Sequence, residues 1–440
     1  MKKIYLLAFS TLLTAVALKA QSPCATGRYA SDTFSNVTTT SNVVYGNNIK
    51  ANGSAQSLTM DIYQPTGDLE TARPLIVWAH GGSFLGGSST DGDVVALSQA
   101  FAKKGYVCVS INYRLGLTPF DSTGAIKAVL RAVQDMKASV RFFYKDKLTA
   151  NTYKIDTNNI FIGGSSAGAI TALQYAYLDK SCEVNYYLNA ATLNSLGGME
   201  GYSGNQCYST KIKGVINLCG ALGRYGWIEP NDVPFCSMHG TIDGTVKYNR
   251  GVVNPGIPLI LLDGSRMLKE QANTIGINNP FYTWYGKDHV PYASSTLYMD
   301  TTINFVRDFL VSRLGCTDPA ILPQNTPAQT ATLYSYTTCT TNVQMTCASP
   351  GFVGINELTN TNVINRVFPN PSDNDMTIEF SNSNTTHKVE VFDIAGKIIS
   401  SESTEQPTFK IKNNNVSSGL YFLKVTAKNG ESTTQKVVFN

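Results

Sequence analysis

Ile160-Phe161-Ile162-Gly163-Gly164-Ser165-Ser166-Ala167-Gly168 opens with residues that favour extended backbone and closes in a run of small ones. The stretch that follows, Ala169 to Leu178, has the composition of a helix. Strand, sharp turn and helix are therefore predicted in that order, with Gly164-x-Ser166-x-Gly168 at the turn. A serine at such a turn projects its hydroxyl away from the sheet, and small neighbours let the backbone bend and a second molecule approach. Ser166 fills the central position and Ser165 the variable one. The pattern alone is a common Gly-rich turn; between a strand and a helix it makes Ser166 a candidate nucleophile.

Working outward, residues from about 40 to 315 alternate short apolar runs with helical periodicity, the signature of βαβ units and a mostly parallel sheet. The clearest strands are Leu75–Ala79, Tyr106–Asn112, Ile160–Ile162, Val215–Leu218 and Val233–Met238. In Ala125–Lys147, Val129, Val133, Met136, Val140 and Phe143 recur at steps of four and three, one apolar helix face. Phe305–Leu314 reads as a closing helix that Gly315 stops. Residues 317–362 are rich in Thr, Asn, Pro and Ala with no sustained period and read as a linker. From 363 to 440 short alternating segments between Asn, Gly and Ser turns predict a small all-β sandwich.

The chain has 440 residues, more than one ordinary domain needs. Its charge of +4, with 15% charged residues and no Lys/Arg cluster, argues against nucleic acid as a partner. Lys2 and Lys3 precede an apolar run to Leu18 and then small Ala20, so residues 1–20 read as a signal peptide. That run is too short for a membrane span, and none is expected in the mature chain. Nine cysteines in an exported chain point to disulfides, with Cys108 the expected buried free thiol, eight left to pair, and Cys339 close enough to Cys347 to staple one loop. No spacing suits a metal, and no cofactor motif is present, so neither is expected.

A serine nucleophile needs a base, and the chain offers four histidines. His80 follows a strand and is placed to orient a loop; His239 opens His239-Gly240-Thr241-Ile242-Asp243; His387 lies in the tail. By elimination His289, in Gly286-Lys287-Asp288-His289, is the candidate general base.

Several of these segments resemble one family. The elbow at Ser166, the loop His80-Gly81-Gly82-Ser83-Phe84, Asp61-Ile62-Tyr63-Gln64-Pro65 and Asn112-Tyr113-Arg114-Leu115 together resemble an α/β-hydrolase of the carboxylesterase and carbohydrate (feruloyl or acetyl-xylan) esterase group. The resemblance covers 21–316 and implies a mostly parallel sheet with helices on both faces. Its order of nucleophile, acid and base admits Asp243, just beyond the strand Val233–Met238, with Asp288 the rival; Asp243 is preferred because adjacent side chains usually point apart, which leaves Asp288 badly placed to brace His289. It also implies an oxyanion hole from the N–H groups of Gly82, Ser83 and Ala167, with Gly81 a substitute; Ser83 replaces a glycine, which puts a need for positive φ there in doubt. Arg114 and Asp61 are expected to be structural. Residues 179–232, with Tyr186, Tyr187, Tyr202, Tyr208, Tyr225 and Trp227, are expected to cap or line the pocket.

The tail resembles a second family. Val367-Phe368-Pro369-Asn370-Pro371, Val391-Phe392-Asp393-Ile394-Ala395-Gly396-Lys397, Ser418-Gly419-Leu420-Tyr421-Phe422 and Lys436-Val437-Val438-Phe439 are similar to the type IX secretion C-terminal sorting domain. That resemblance implies the type IX secretion machinery as a partner through residues 363–440, and export through the periplasm to the medium or cell surface. Together the two resemblances imply a secreted serine ester hydrolase acting on ester side chains of plant polysaccharides. A broad carboxylesterase, a polyester hydrolase, a prolyl-oligopeptidase-type peptidase and a non-catalytic adhesion module are the alternatives.

Overall fold

The computed structural model describes Cys24, residues 27–316 and 330–335, Cys339, and all of 363–439 except 382–384, 394–396, 413–416 and 429–431. The expected signal peptide and most of the 317–362 segment lie outside the described residues. The chain divides into two compact units, Met1–Pro350 and Gly351–Asn440.

In the first unit the elements run β1 (Val37–Ile49), β2 (Ala55–Pro65), β3 (Arg73–Ala79), α1 (Gly92–Lys103), β4 (Val107–Ile111), α2 (Ser122–Leu148), β5 (Ile155–Ser165) and α3 (Ala167–Tyr177). They continue α4 (Ser181–Asn185), α5 (Ala190–Ser195), β6 (Gly214–Leu218), β7 (Ala221–Leu222), β8 (Phe235–Gly240), β9 (Arg250–Val253), β10 (Ile260–Gly264), α6 (Ser265–Ile275), β11 (Phe281–Trp284) and α7 (Thr296–Arg313). Eight strands form one sheet in the order β1-β2-β4-β3-β5-β6-β8-β11. The β1/β2 and β2/β4 pairs are antiparallel, and every pair from β4 to β11 is parallel.

The sequence explains this order. β3, β4 and β6 are buried at every position, as strands covered on both faces must be, and read as continuous apolar runs. β1 carries Thr38, Thr39 and Thr40 on exposed backbone, the polar habit of an edge. The strand expected at Ile160–Ile162 extends to Ile155–Ser165 because β3 and β6 pair with it on its two sides. One core packs α2 and α3 against the sheet, with Val133, Met136, Val140 and Phe143 buried as the helical period requires. The other packs α1 and α7 on the opposite face around Trp78, Phe161 and Phe309. Each such side chain stabilises the fold by about 1.5–3 kcal/mol. Asp121 caps α2 by accepting from the Gly124 N–H at 2.9 Å.

A separate three-stranded sheet, β7-β10-β9, lies outside the main one. Ala331, Leu333 and Tyr334, in the segment read as linker, pack against the same core as this sheet. The Tyr334 hydroxyl donates to Asp263 at 2.7 Å, and its ring lies 3.8 Å from the Arg250 guanidinium. These residues are therefore part of the first unit's structure.

The cysteines correct two expectations. Cys24 pairs with Cys316, and Cys182 of α4 pairs with Cys339, so Cys339 does not staple a loop with Cys347, which lies outside the described residues. Nearness along the chain lost to the fold, which brings Tyr334 against Asp263 of β10 and Cys339 against Cys182. Cys108 is a buried free thiol, but so are Cys219 and Cys236, and eight cysteines do not pair.

The second unit is all β: β12 (Ile364–Phe368), β13 (Met376–Phe380), β14 (His387–Phe392), β15 (Ile398–Thr404), β16 (Thr408–Ile411), β17 (Gly419–Ala427) and β18 (Ser432–Phe439). They form two antiparallel sheets, β12-β13-β16 and β15-β14-β17-β18. Met376, Ile378, Val389, Val391, Leu423, Val425 and Val437 fill a shared core, one side of each strand's alternation.

Candidate active site

Ser166 sits between β5 and α3 with φ 54° and ψ −114°, a backbone state that costs about 1–3 kcal/mol and persists only where the surroundings impose it. They do so here through close approach. A Cβ on Gly168 would lie 1.9 Å from the Ala79 carbonyl oxygen, and one on Gly164 would lie 2.4 Å from the Gly168 carbonyl carbon. Only glycine lets helix, turn and strand come this near. The Ser166 N–H donates to the Leu218 carbonyl at 2.9 Å, tying the turn to β6. Ser165 points elsewhere, its hydroxyl 2.7 Å from Tyr292.

His289 follows β11. Its Nε2 lies 2.7 Å from Ser166 Oγ and its Nδ1 2.7 Å from Asp243 Oδ2. Asp243 follows β8, so all three groups stand beyond the carboxyl ends of parallel strands. Its second oxygen accepts from the N–H groups of Thr245 at 2.9 Å and Val246 at 2.8 Å. Burial pushes the Asp243 carboxyl up, but hydrogen bonds from His239 and His289 outweigh it and hold the group well below the usual carboxylate range. Asp288 accepts at 2.7 Å from the N–H of Gly244 and at 2.7 Å from that of His289, so it braces the loop backbone and not the imidazole.

The loop after β3 carries three consecutive residues of positive φ: Gly82 at 98°, Ser83 at 56° and Phe84 at 60°. They reverse the chain in a tight turn, with the N–H groups of Leu85 and Gly86 donating back to the Gly82 carbonyl at 2.9 and 3.1 Å. Ser83 thus adopts the left-handed conformation that its side chain had put in doubt. Gly82, Ser83 and Ser166 line one open cleft, and Ala167 joins Ser83 and Ser166 on a second cavity. The Ala167 N–H is free of an intrahelical partner because it opens α3. Gly81 lies so close that a Cβ there would be 3.5 Å from that of Ser166.

Neighbouring groups that the sequence did not assign complete the site. His239 Nε2 is 3.2 Å from Asp243 Oδ2, and its Nδ1 is 2.7 Å from Ser265 Oγ. Burial lowers the affinity of His80 for a proton; its Nδ1 meets the Gly81 carbonyl at 2.7 Å and its ring stacks on Tyr113. Arg114 binds Asp135 at 2.9 Å with both groups buried, and Asp61 accepts from Ser89 at 2.7 Å, the structural roles expected of them.

The cavity walls correct the expected lid. Residues 179–232 include β6, a buried strand of the main sheet, and Tyr186 and Tyr202 face solvent. Of the six aromatics, Tyr187 and Trp227 line a cavity. The cover over Ser166 comes instead from 245–262, through Thr245, Val253, Pro255, Ile260 and Leu262. The cue was Asn254-Pro255-Gly256 between apolar residues, a hairpin signal. Beside Ser166 an apolar cavity of about 40 Å³ adjoins another of about 50 Å³, the two sharing Ala125, Val129, Ile170, Ile260 and Leu262 as walls. On the other side of Ser166 the open cleft, about 550 Å³, is lined by Asp91, Asp93, Asn254 and His289.

The fold and site define an α/β-hydrolase unit followed by an all-β tail. Residues 60–253 match the BD-FAE family model, and residues 366–440 match that of the secretion system C-terminal sorting domain. Carboxylesterase 3B of Mus musculus is 38% identical over 122 residues, 27% of this chain and 20% of the relative. Gut esterase 1 of Caenorhabditis briggsae is 30% identical over 118 residues, 27% of this chain and 20% of the relative. The chain thus spans about a fifth of the length of these curated relatives. Among solved structures, Thermogutta terrifontis esterase 2 phosphoramylated by tabun aligns with a TM-score of 0.47 and 19% identity, over 64% of this chain and 96% of that one.

Proposed function

We propose that this chain is an exported serine carboxylic-ester hydrolase that removes acyl side chains, feruloyl or acetyl, from plant polysaccharides. The observation that carries the reading is the imidazole of His289, held at 2.7 Å from both the Ser166 hydroxyl and the Asp243 carboxylate. His289 Nε2 takes the Ser166 proton as Oγ attacks the ester carbonyl, while Asp243 holds the proton on Nδ1 and stabilises the imidazolium that forms. The oxyanion meets the N–H groups of Gly82, Ser83 and Ala167. His289 then protonates the leaving alcohol, and water repeats the cycle on the acyl-enzyme.

The two cavities support the choice of substrate. An acyl group entering from Ser166 meets mostly apolar side chains in both cavities, among them Val129, Ile170, Ile260 and Leu262, with the rings of Tyr187 and Trp227 on the second, walls suited to an aromatic or short aliphatic acyl group. The open cleft, with its carboxylates and amide, suits a sugar as the alcohol. The tail match supports export by the type IX route, with the cell surface or the medium as destination.

The test is to assay the full chain on p-nitrophenyl acyl esters, methyl ferulate, acetylated xylan and a peptide anilide, with Ser166→Ala alongside. Ester turnover is expected to fall by at least about 10⁴ in the variant. Equal inactivity of both proteins on every ester refutes the hydrolase reading. Turnover of simple alkyl esters without that of methyl ferulate or acetylated xylan refutes the polysaccharide assignment and favours a broad carboxylesterase.

A further inference from the structure

Cys219 directly follows β6 and is one of three buried free thiols among the described residues, and unlike Cys108 and Cys236 it lies beside the candidate active site. Its backbone is in the left-handed region, φ 59°, and its N–H donates to the Met238 carbonyl at 2.9 Å. This conformation, which side chains rarely adopt, puts the thiol among groups whose chemistry it does not share. Its sulfur, a carboxylate oxygen of Asp243 and a ring nitrogen of His289 all lie within 4.8 Å of one another. The acyl-transfer steps above make no use of it.

We propose that Cys219, Asp243 and His289 form an inhibitory site for Zn²⁺. Thiolate, imidazole and carboxylate are the ligand types of tetrahedral zinc, with bonds of about 2.0–2.3 Å that put donor atoms about 3.5 Å apart. The trio therefore takes up the ion by movements of about 1 Å or less, the Nδ1–Oδ2 pair opening from 2.7 Å and the sulfur drawing in, with a fourth position left for water. The route in is the open cleft, which reaches His289 and Val290. As the sulfur–zinc bond forms, the thiol proton leaves to solvent. The imidazole nitrogen facing Asp243 gives its lone pair to the ion, so the ring's one proton moves to the nitrogen facing Ser166. In that tautomer His289 donates to the serine and no longer accepts from it. The inhibition rests on the hydrolase reading; the binding does not.

Two measurements keep these apart. Cd²⁺, which takes the same ligands, is titrated into metal-free Ser166→Ala protein, following the ultraviolet thiolate-to-cadmium charge-transfer band. One equivalent is expected to develop the band, and adding Cys219→Ala or Cys219→Ser is expected to abolish it. Zn²⁺ is then titrated into the wild type turning over p-nitrophenyl acetate. The Cys219 variants are expected to raise the half-inhibiting concentration by at least about tenfold, with Cys236→Ala leaving it unchanged and EDTA restoring activity. A band that survives in the Cys219 variants, or no band at all, overturns the site. Equal Zn²⁺ inhibition of wild type and both Cys219 variants overturns the inhibitory role. A wild type without ester turnover counts against the hydrolase reading, and the cadmium band still decides the site.

Discussion

Asp243→Asn replaces a carboxylate with an amide of the same shape, and the surrounding donors dictate which way that amide faces. Asp243 Oδ1 accepts from the N–H groups of Thr245 and Val246, so the amide oxygen is held there. The NH₂ group then takes the place of Oδ2 and points at His289 Nδ1, 2.7 Å away in the wild type. Facing a donor, Nδ1 must accept; the ring proton moves to Nε2, and the base for Ser166 is lost. Turning the amide round restores the ring but aims NH₂ at two backbone donors, leaving both unsatisfied at about 1–3 kcal/mol each. The imidazolium formed during attack also loses a charge-assisted partner worth about 1.5–3 kcal/mol. The sum, about 3.5–9 kcal/mol, brackets the roughly 5.5 kcal/mol, about 10⁴ in kcat, that a wrong tautomer costs a serine hydrolase. Steady-state kinetics on p-nitrophenyl acetate, with circular dichroism to verify folding, measure it. Asp288→Asn, which alters a backbone brace, is expected to cost about tenfold or less. The reasoning fails if Asp243→Asn keeps a tenth of wild-type turnover, or if Asp288→Asn is the more damaging of the two.

Three other substitutions probe the oxyanion loop, the acyl path and the buried carboxyl of α4. Gly82→Ala forces a Cβ to within 2.2 Å of the Gly86 carbonyl oxygen at a φ of 98°; kcat is expected to fall about 10²–10³ with KM little changed, and a fall below threefold contradicts the oxyanion assignment. Ile170→Phe narrows the wall common to both apolar cavities, so kcat/KM for methyl ferulate is expected to drop at least about tenfold while that for p-nitrophenyl acetate stays within about threefold; a parallel loss counts against the acyl path. Burial raises the Glu183 carboxyl from 4.5 to about 7, so its contribution to stability is intact below pH 4.5 and lost as pH climbs through 7. Glu183→Gln is therefore expected to match the wild type near pH 4 and to exceed it by about 3 kcal/mol above pH 7. Denaturant melts across this range test that, and curves that stay parallel refute it.

Much of the site was legible because its chemistry is local or scarce. The strand, turn and helix around Ser166 form one continuous stretch, and four histidines left few candidates for its base. Order along the chain admits both Asp243 and Asp288, and only the adjacency of Asp288 to His289 told against it; what Asp288 does instead, bridging the N–H groups of Gly244 and His289, needed the loops in space. The cover over Ser166 was legible only in its turn: β9 and β10 form a local hairpin, but the pairing of β10 with the two-residue β7, which fixes where that hairpin lies, is set by a distant partner. His239 gave no local sign that it hydrogen-bonds the same carboxylate as His289. The positive φ of Ser83 and Cys219 was hidden because neither is glycine.

The strap formed by Tyr334 and Cys339 has a consequence for the order in which the molecule is completed. It closes over β10, whose Ile260 and Leu262 wall both apolar cavities, and its covalent anchor, Cys182, precedes it by 157 residues. A nascent chain emerges from its amino end, so the serine, acid and base are all present before the strap arrives. The pocket's outer wall is thus fastened only after the groups it shelters have been made. Until an oxidising compartment joins Cys182 to Cys339, the chain carries its serine, acid and base without the clamp beside the two apolar cavities.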